Sequence, residues 1–507
     1  ELLPDHEILR IARCEAGEVE LEQLFAPRPG YGRAPRLRDG GALGLRVESK
    51  QGTATLRTSM SLLRHDCSAR GTTRLRAGDT VYASLTFADD WPAVLPPLGL
   101  PSERALQRTI EWWRRWSART RIEGPFADAV RRSALAIKLL CYSPSGAVVA
   151  APTSSLPERI GGKLNWDYRY CWLRDASLTM RALINIGFDD EAEAFASWLM
   201  HSTRLTRPRL KILYDVYGNH PKKERELGRW RGFDDSKPVR IGNKAVEQLQ
   251  LDVYGEVIDA VAQLVRSADV RFDRETQRML RGFADYVAKH WRDPDEGIWE
   301  PRSGRSPHTH SRLLCWVAAD RLIELGERGC LRRLALPRLR KLRDEIRREI
   351  ESDAWNAELA SYVAVPGGSD LDATLLLMAW YGFADPGSPR MRSTWRRVHD
   401  ELGVDGLLYR YRNGDSPGEG AFGICSFWAA EYLALGGGTL ADAEETMREV
   451  LARGNDVGLF AEEIDPESGD ALGNFPQAFS HVGLINAAIT IERRRRAELA
   501  PAKEVNA

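Results

Sequence analysis

The stretch Asn165-Trp166-Asp167-Tyr168-Arg169-Tyr170-Cys171-Trp172-Leu173-Arg174-Asp175 holds four aromatics, two arginines and two aspartates within eleven residues. It runs straight into an amphipathic pattern. Leu173, Met180, Leu183 and Ile184 recur at helical spacing, and Gly187 is placed to stop the helix. Arg174 and Asp175 therefore fall in a first helical turn beside Trp172. Charged groups next to large aromatics cost desolvation unless they meet polar partners, so a core built only for burial does not select this mixture. A pocket for a hydroxyl-rich ring does, because flat apolar faces suit the C–H face of a sugar and an Arg–Asp pair grips neighbouring hydroxyls. A helix start with a structural ion pair explains the same residues, and the stretch alone leaves both readings open.

Outward from this stretch, helical periodicity dominates from about residue 125 to 498. It predicts about twelve helices, near 126–142, 172–187, 190–204, 246–265, 273–290, 311–326, 333–351, 370–381, 390–402, 423–435, 439–452 and 476–495. The longer loops between them carry most of the Trp, Tyr, Arg and acidic residues. Paired helices with chemistry in alternate loops predict a helical barrel or toroid, and the lack of a fixed repeat period speaks against a solenoid. The preceding segment reads as short strands, Glu18 to Phe25, Ala42 to Glu48, Ala54 to Met60 and Thr80 to Phe87, bounded by turn residues. This predicts an antiparallel β-sandwich over 1–100. A Pro-rich break from Trp91-Pro92 to Pro101 follows. A helix with Ser102 as its cap and Trp112, Trp113 and Trp116 within it then links, over 101–124, to the helical domain at 125–507.

Composition narrows the function. The 507 residues are 43% hydrophobic and 28% charged, as in soluble globular proteins. Lys+Arg and Asp+Glu both number 72, so no overall field favours nucleic acid or an anionic membrane. No apolar run has transmembrane length. Seven cysteines stand singly with no C-x-x-C pair, which argues against a zinc or redox motif and for reduced thiols in a cytoplasm. His308-Thr309-His310 lacks the further ligands of a metal site and reads as helix capping by Thr309 and Ser311. Gly161-Gly162-Lys163 lacks the remaining elements of a phosphate loop.

Two acidic clusters could carry chemistry. In Asp293-Pro294-Asp295-Glu296-Gly297-Ile298-Trp299-Glu300, the last glutamate abuts an indole, which disfavours its charged form as a general acid requires. In Gly458-Leu459-Phe460-Ala461-Glu462-Glu463-Ile464-Asp465, adjacent glutamates point apart, so one can face a pocket. Two carboxylates across a sugar are the minimal machinery of glycoside hydrolysis. Either cluster alone is also explained as a solvated turn.

The chain resembles glycoside hydrolase family 15, the glucoamylase-like enzymes. The likeness is carried by Asn165 to Asp175, Gln250-Leu251-Asp252-Val253-Tyr254-Gly255-Glu256, Pro294 to Glu300, Cys425-Ser426-Phe427-Trp428 and Gly473-Asn474-Phe475-Pro476-Gln477-Ala478-Phe479-Ser480-His481. The resemblance implies an (α/α)6 barrel behind a β-sandwich domain whose usual opening is missing here. It implies Glu300 as general acid and Glu462 as general base. Trp172, Arg174, Asp175, Trp299 and Arg410 are implied on the sugar. The implied activity is exo-acting, inverting release of glucose from α-glucans or oligosaccharides. The alternative is a trehalase of the same family, in which case phosphate and magnesium enter. Otherwise no cofactor and no metal are expected. The expected partner is carbohydrate alone, with no nucleic acid and no membrane, and self-association is left open. A non-catalytic carbohydrate-binding protein would need the aromatics and the Arg–Asp grip but not both glutamates. A helical scaffold would need neither.

Overall fold

The computed structural model describes residues 4, 6–32, 34–89, 94–204, 206–267, 272–411 and 419–499. Trp91 and Pro92, which open the predicted break, lie outside the described residues. The chain divides into two compact units, Glu1–Ala118 and Arg119–Ala507.

Among its described residues the first unit holds two antiparallel sheets and one α-helix. Its strands are β1 (His6–Arg13), β2 (Glu18–Phe25), β3 (Arg38–Asp39), β4 (Leu45–Ser49), β5 (Gly52–Thr58), β6 (Leu63–Arg64), β7 (Ala69–Arg76) and β8 (Thr80–Ala88). One sheet runs β1-β8-β5-β4-β3 and the other β2-β7-β6. Phe25 and Ala69 from the smaller sheet meet Val47, Leu56 and Ala83 from the larger, so the core lies between two faces, as a sandwich requires. Strands β1 and β7 lie within the stretch read as short strands but are not among those named from the sequence, and for β7 there is a physical reason. Ala-Arg-Gly-Thr-Thr-Arg-Leu-Arg has little apolar alternation, and the strand is held to β2 partly by charge: Arg70 bonds Glu22 at 2.6 Å and Arg76 bonds Glu18 at 3.0 Å. Helix α1 (Leu100–Ser117) starts after Gly99, so Ser102 lies inside its first turn and is not the predicted cap.

The second unit holds α2 (Ala127–Leu140), α3 (Leu173–Asn185), α4 (Asp189–Thr203), α5 (Asp252–Ser267), α6 (Arg274–His290), α7 (Thr309–Glu327), α8 (Leu336–Asp353), α9 (Leu377–Trp380), α10 (Pro389–Leu402), α11 (Gly423–Tyr432), α12 (Leu440–Leu451) and α13 (Ala478–Leu499). Helices α3, α5, α7, α11 and α13, with α9 and the 3-10 turn Ala373–Leu376 before it, form a closed inner ring; α2, α4, α6, α8, α10 and α12 lie outside it. The inner helices are buried nearly all round, and in α11 all ten residues are buried. A helix apolar on every side belongs in a core, and this is why α7, α11 and α13 have so little amphipathic contrast. The fold is an (α/α)6 barrel.

Two predicted boundaries shift. The segment predicted as 246–265 begins as a helix only at Asp252, because Asn243 caps a separate 3-10 turn at Lys244–Glu247. The segment predicted as 370–381 divides into a 3-10 turn capped by Asp372 and the short α9. His308 is the N-cap residue of α7, without a side-chain bond. Thr309 bonds Val363 O and Ser311 bonds Asp295, so neither caps the helix as predicted. No helix among the described residues is long and apolar enough to cross a membrane.

Candidate active site

Several inner helices begin directly after a loop or short ladder that faces one mouth of the barrel. Cys171–Trp172 pairs with Leu213–Tyr214 and leads into α3. Glu463–Ile464 sits in a three-strand ladder between Ala421–Phe422, which leads into α11, and Ala471–Leu472. These loops enclose a cavity of about 600 Å³. Trp172, Arg174, Asp175 and Trp299 line it, as do Glu300, Arg410 and Glu462. All seven residues singled out in the sequence thus reach one cavity.

Glu300 is placed by a turn. Its N–H meets Gly297 O at 3.4 Å, and its φ of 57° lies in the left-handed region. That conformation costs a non-glycine residue about 1 kcal/mol and persists only where surroundings over-determine it. Gly297, at φ 65°, is needed here, since a Cβ would lie 2.7 Å from the His308 ring. Glu300 Oε1 accepts from Trp172 Nε1 at 2.7 Å and Gln250 Nε2 at 3.2 Å, and Arg174 Nη2 lies 3.7 Å away. Burial pushes its carboxyl above the usual range, while Arg174, Gln250 and Trp172 oppose that shift. The other acids of its cluster are tied into the scaffold. Asp295 accepts from Leu251 N and Ser311 Oγ, each at 2.8 Å, and Glu296 accepts from Leu249 N at 2.8 Å.

The adjacent glutamates face different ways, Glu462 on the bend just before the short strand that Glu463 opens. Glu462 lines the cavity, and its Oε1 accepts from Tyr168 Oη at 2.6 Å and Gln477 Nε2 at 3.4 Å. Glu463 is turned into the barrel wall, fully buried, with Oε2 accepting Gly420 N at 2.8 Å. Gly473 backs Glu462 so closely that a Cβ there would lie 2.8 Å from its Oε2. Burial, then the charge of Glu158, pushes the Glu462 carboxyl well above the usual range, opposed by the Tyr168 hydrogen bond and by Arg410.

Arg174 is 5% exposed, and its Nε and Nη1 are engaged. It bonds Asp175 Oδ1 at 2.9 Å, Ile298 O at 3.0 Å and Gln250 Oε1 at 3.3 Å. Burial pulls its guanidinium down, but Asp175 and Glu300 outweigh that and hold its pKa up. Trp299 donates to Asp372 at 2.7 Å and packs against Phe422 and Trp428. Arg410 holds Glu419 at 2.7 Å and stands 3.6 Å from Glu158 Oε2. Sequence reasoning missed the roles of Tyr168, Gln250 and Gln477, although each lies inside a motif that was quoted. Glu158 and Glu419 carried no sequence signal. Glu158, Glu419 and Glu463 present oxygens within 4.8 Å of one another, as a cation site would need. The Arg410 guanidinium already brings positive charge to that spot, which disfavours a second cation beside it.

The chain matches the family described as Glycosyl hydrolases family 15 over residues 124–436 and 438–489. It is 35% identical to a trehalase of Mycobacterium tuberculosis over 508 residues, covering 96% of this chain and 73% of that enzyme. It is 38% identical to a trehalase of Thermoplasma volcanium over 395 residues, covering 76% of this chain and 62% of that one. Among solved structures, a bacterial glucoamylase complexed with acarbose superposes with a TM-score of 0.65 at 14% identity, covering 88% of this chain and 73% of that one. At that identity the likeness speaks for the fold alone. The family match spans nearly all of the helical ring and the loops that bear Glu300 and Glu462, and this chain, a glycoside hydrolase, belongs to glycosyl hydrolase family 15.

Proposed function

We propose that the enzyme hydrolyses α,α-trehalose to two glucoses with inversion, Glu300 acting as general acid and Glu462 as general base. The observation that carries the substrate is the 35% identity to a trehalase across 96% of the chain. Sequence reasoning placed α-glucans first and trehalose second; the relatives reverse that order. The cavity, at about 600 Å³, lies in the range of small-ligand pockets, as a disaccharide substrate needs.

In this mechanism burial raises the Glu300 carboxyl above the usual range, the direction a general acid needs, and the Trp172 and Gln250 donors fix the carboxyl's orientation toward the glycosidic oxygen. Tyr168 and Gln477 hold Glu462 by Oε1, while Oε2, without a donor among the described residues, takes a proton from the attacking water. Asp175, anchored by Arg174, grips hydroxyls of the ring being cleaved, with Trp172 and Trp299 beside it. Arg410 anchors the acids behind Glu462. The test is hydrolysis of trehalose, maltose, isomaltose, panose and soluble starch, each with and without phosphate and magnesium. The highest kcat/KM should fall on trehalose. A preference for maltose or starch would return the enzyme to the glucan reading.

A further inference from the structure

Behind the Glu462 side of the cavity lies a cluster that the hydrolytic mechanism does not use. Glu158, Glu419 and Glu463 bring carboxylate oxygens within 4.8 Å of one another around a single guanidinium, Arg410. If all three were ionised, two negative charges would stand unbalanced in a site where Glu158 is 2% and Glu463 0% exposed. Buried charge without a partner is costly, and such groups keep a proton instead. Two oxygens there, Glu158 Oε2 and Glu463 Oε1, have no hydrogen-bond partner among the described residues.

The cluster is built into the same framework as Glu462. Glu158 sits on a loop closed by its own N–H to Leu164 O at 3.1 Å. The Gly473 N–H donates to Pro157 O at 2.8 Å, and Gly473 is the residue pressed against Glu462. Glu158, Arg410, Glu419 and Glu462 line one wall of the cavity. The titratable and charged groups facing Glu462 are Tyr168, Glu158, Arg410, Glu419 and its neighbour Glu463. Tyr168 and Arg410 favour the carboxylate; the three acids oppose it.

We propose that Glu158 is a positioning residue which, by holding or releasing a proton within the Arg410–Glu419–Glu463 cluster, sets the pH at which Glu462 ionises; this rests on the assignment of Glu462 as base. With Glu158 neutral, the charge that most opposes ionisation of Glu462 is gone, and Glu462 carries the site's negative charge against Tyr168 and Arg410. With Glu158 ionised, Glu462 retains its proton and cannot accept one from water. Burial and the neighbouring Glu419 raise the Glu158 carboxyl to about 7, against the pull of Arg410, so this exchange falls in the working range of an enzyme at neutral pH. The pair then titrates as a unit.

The experiment is the pH profile of kcat/KM for Glu158→Gln, Glu158→Asp and Glu462→Gln beside the parent enzyme, with trehalose or the best substrate of the panel. Glu158→Gln removes a charge that opposes ionisation of Glu462, so the acidic limb should move down by about one to two pH units. KM should stay within a few-fold, and Glu158→Asp should restore the parent limb. A purely structural role would lower kcat at every pH, or lower the melting temperature, without moving the limb. A limb unmoved in Glu158→Gln, with Glu462→Gln inactive throughout, overturns this inference and leaves the base assignment standing. Activity retained in Glu462→Gln overturns the base assignment itself.

Discussion

Trp172 donates its indole N–H to Glu300 Oε1 at 2.7 Å, across 128 residues of chain. The same indole meets the Tyr168 ring edge-on at 5.5 Å, and Tyr168 donates to Glu462 Oε1 at 2.6 Å. One aromatic pair from the 165–175 stretch therefore ties together two carboxylates that arrive on separate loops. Such an arrangement fixes both carboxyl groups relative to one another, which positional catalysis by an acid and a base requires.

Glu300→Gln and Glu462→Gln should each lower kcat by about 10²- to 10⁴-fold or more while the circular dichroism spectrum stays that of the parent. Glu463→Gln should be far milder, because that side chain is turned away from the cavity onto Gly420 N. Steady-state kinetics on the three purified variants checks this. A dead Glu463→Gln beside an active Glu462→Gln would move the base by one residue.

Asp175→Asn should lower kcat/KM by about 10²-fold or more, equivalent to about 3 kcal/mol, since a charge-assisted bond is lost and the buried Arg174 is left under-paired. Parallel melting curves separate the two roles. A lower melting temperature with kcat/KM intact would assign the pair to structure.

Inversion has a signature specific to trehalose. Cleavage inverts one anomeric carbon and leaves the other untouched, so the first products should be α- and β-glucose in equal amounts. Retention would give α-glucose alone, and would need the carboxyls about 5 Å apart and not about 6.5–9.5 Å. Proton NMR of the anomeric region in the first minutes, before mutarotation, distinguishes them.

Stability should depend on Glu431, which is buried in α11 and accepts from Trp380 Nε1 at 2.7 Å and Thr490 Oγ1 at 2.8 Å. Burial raises its carboxyl to about 7, above an unfolded value of about 4.3. The folded state holds the proton longer, so this contribution is complete below about pH 4.3 and is lost as pH rises through about 7. The loss amounts to roughly 3 kcal/mol. Glu431→Gln keeps an acceptor for both donors without the charge. It should match the parent in melting temperature at pH 4.5 and exceed it by several degrees at pH 8. Equal melting temperatures at pH 8 would show that Glu431 ionises without penalty.

Local sequence determined the helices, most strands and the motifs, because 3.6- and 2-residue periodicities and turn residues act over a few positions. The 165–175 stretch announced a polar pocket for the same reason: its unusual mixture is contiguous. Which carboxyl faces that pocket, and in what state, was decided only by the tertiary structure. Glu158 and Arg410 lie far apart in sequence yet share one buried cluster, and nothing near either residue signals the other. Arg410 likewise has a partner that its sequence neighbourhood does not signal: its guanidinium is held by Glu419 while it lines the cavity. Strand β7 shows the opposite failure, a strand stabilised by cross-strand ion pairs that hydrophobic patterning cannot register. The pKa of a carboxyl depends on solvent excluded and charges brought near by the whole fold, so the acid–base character of this site is a property of packing and not of any segment.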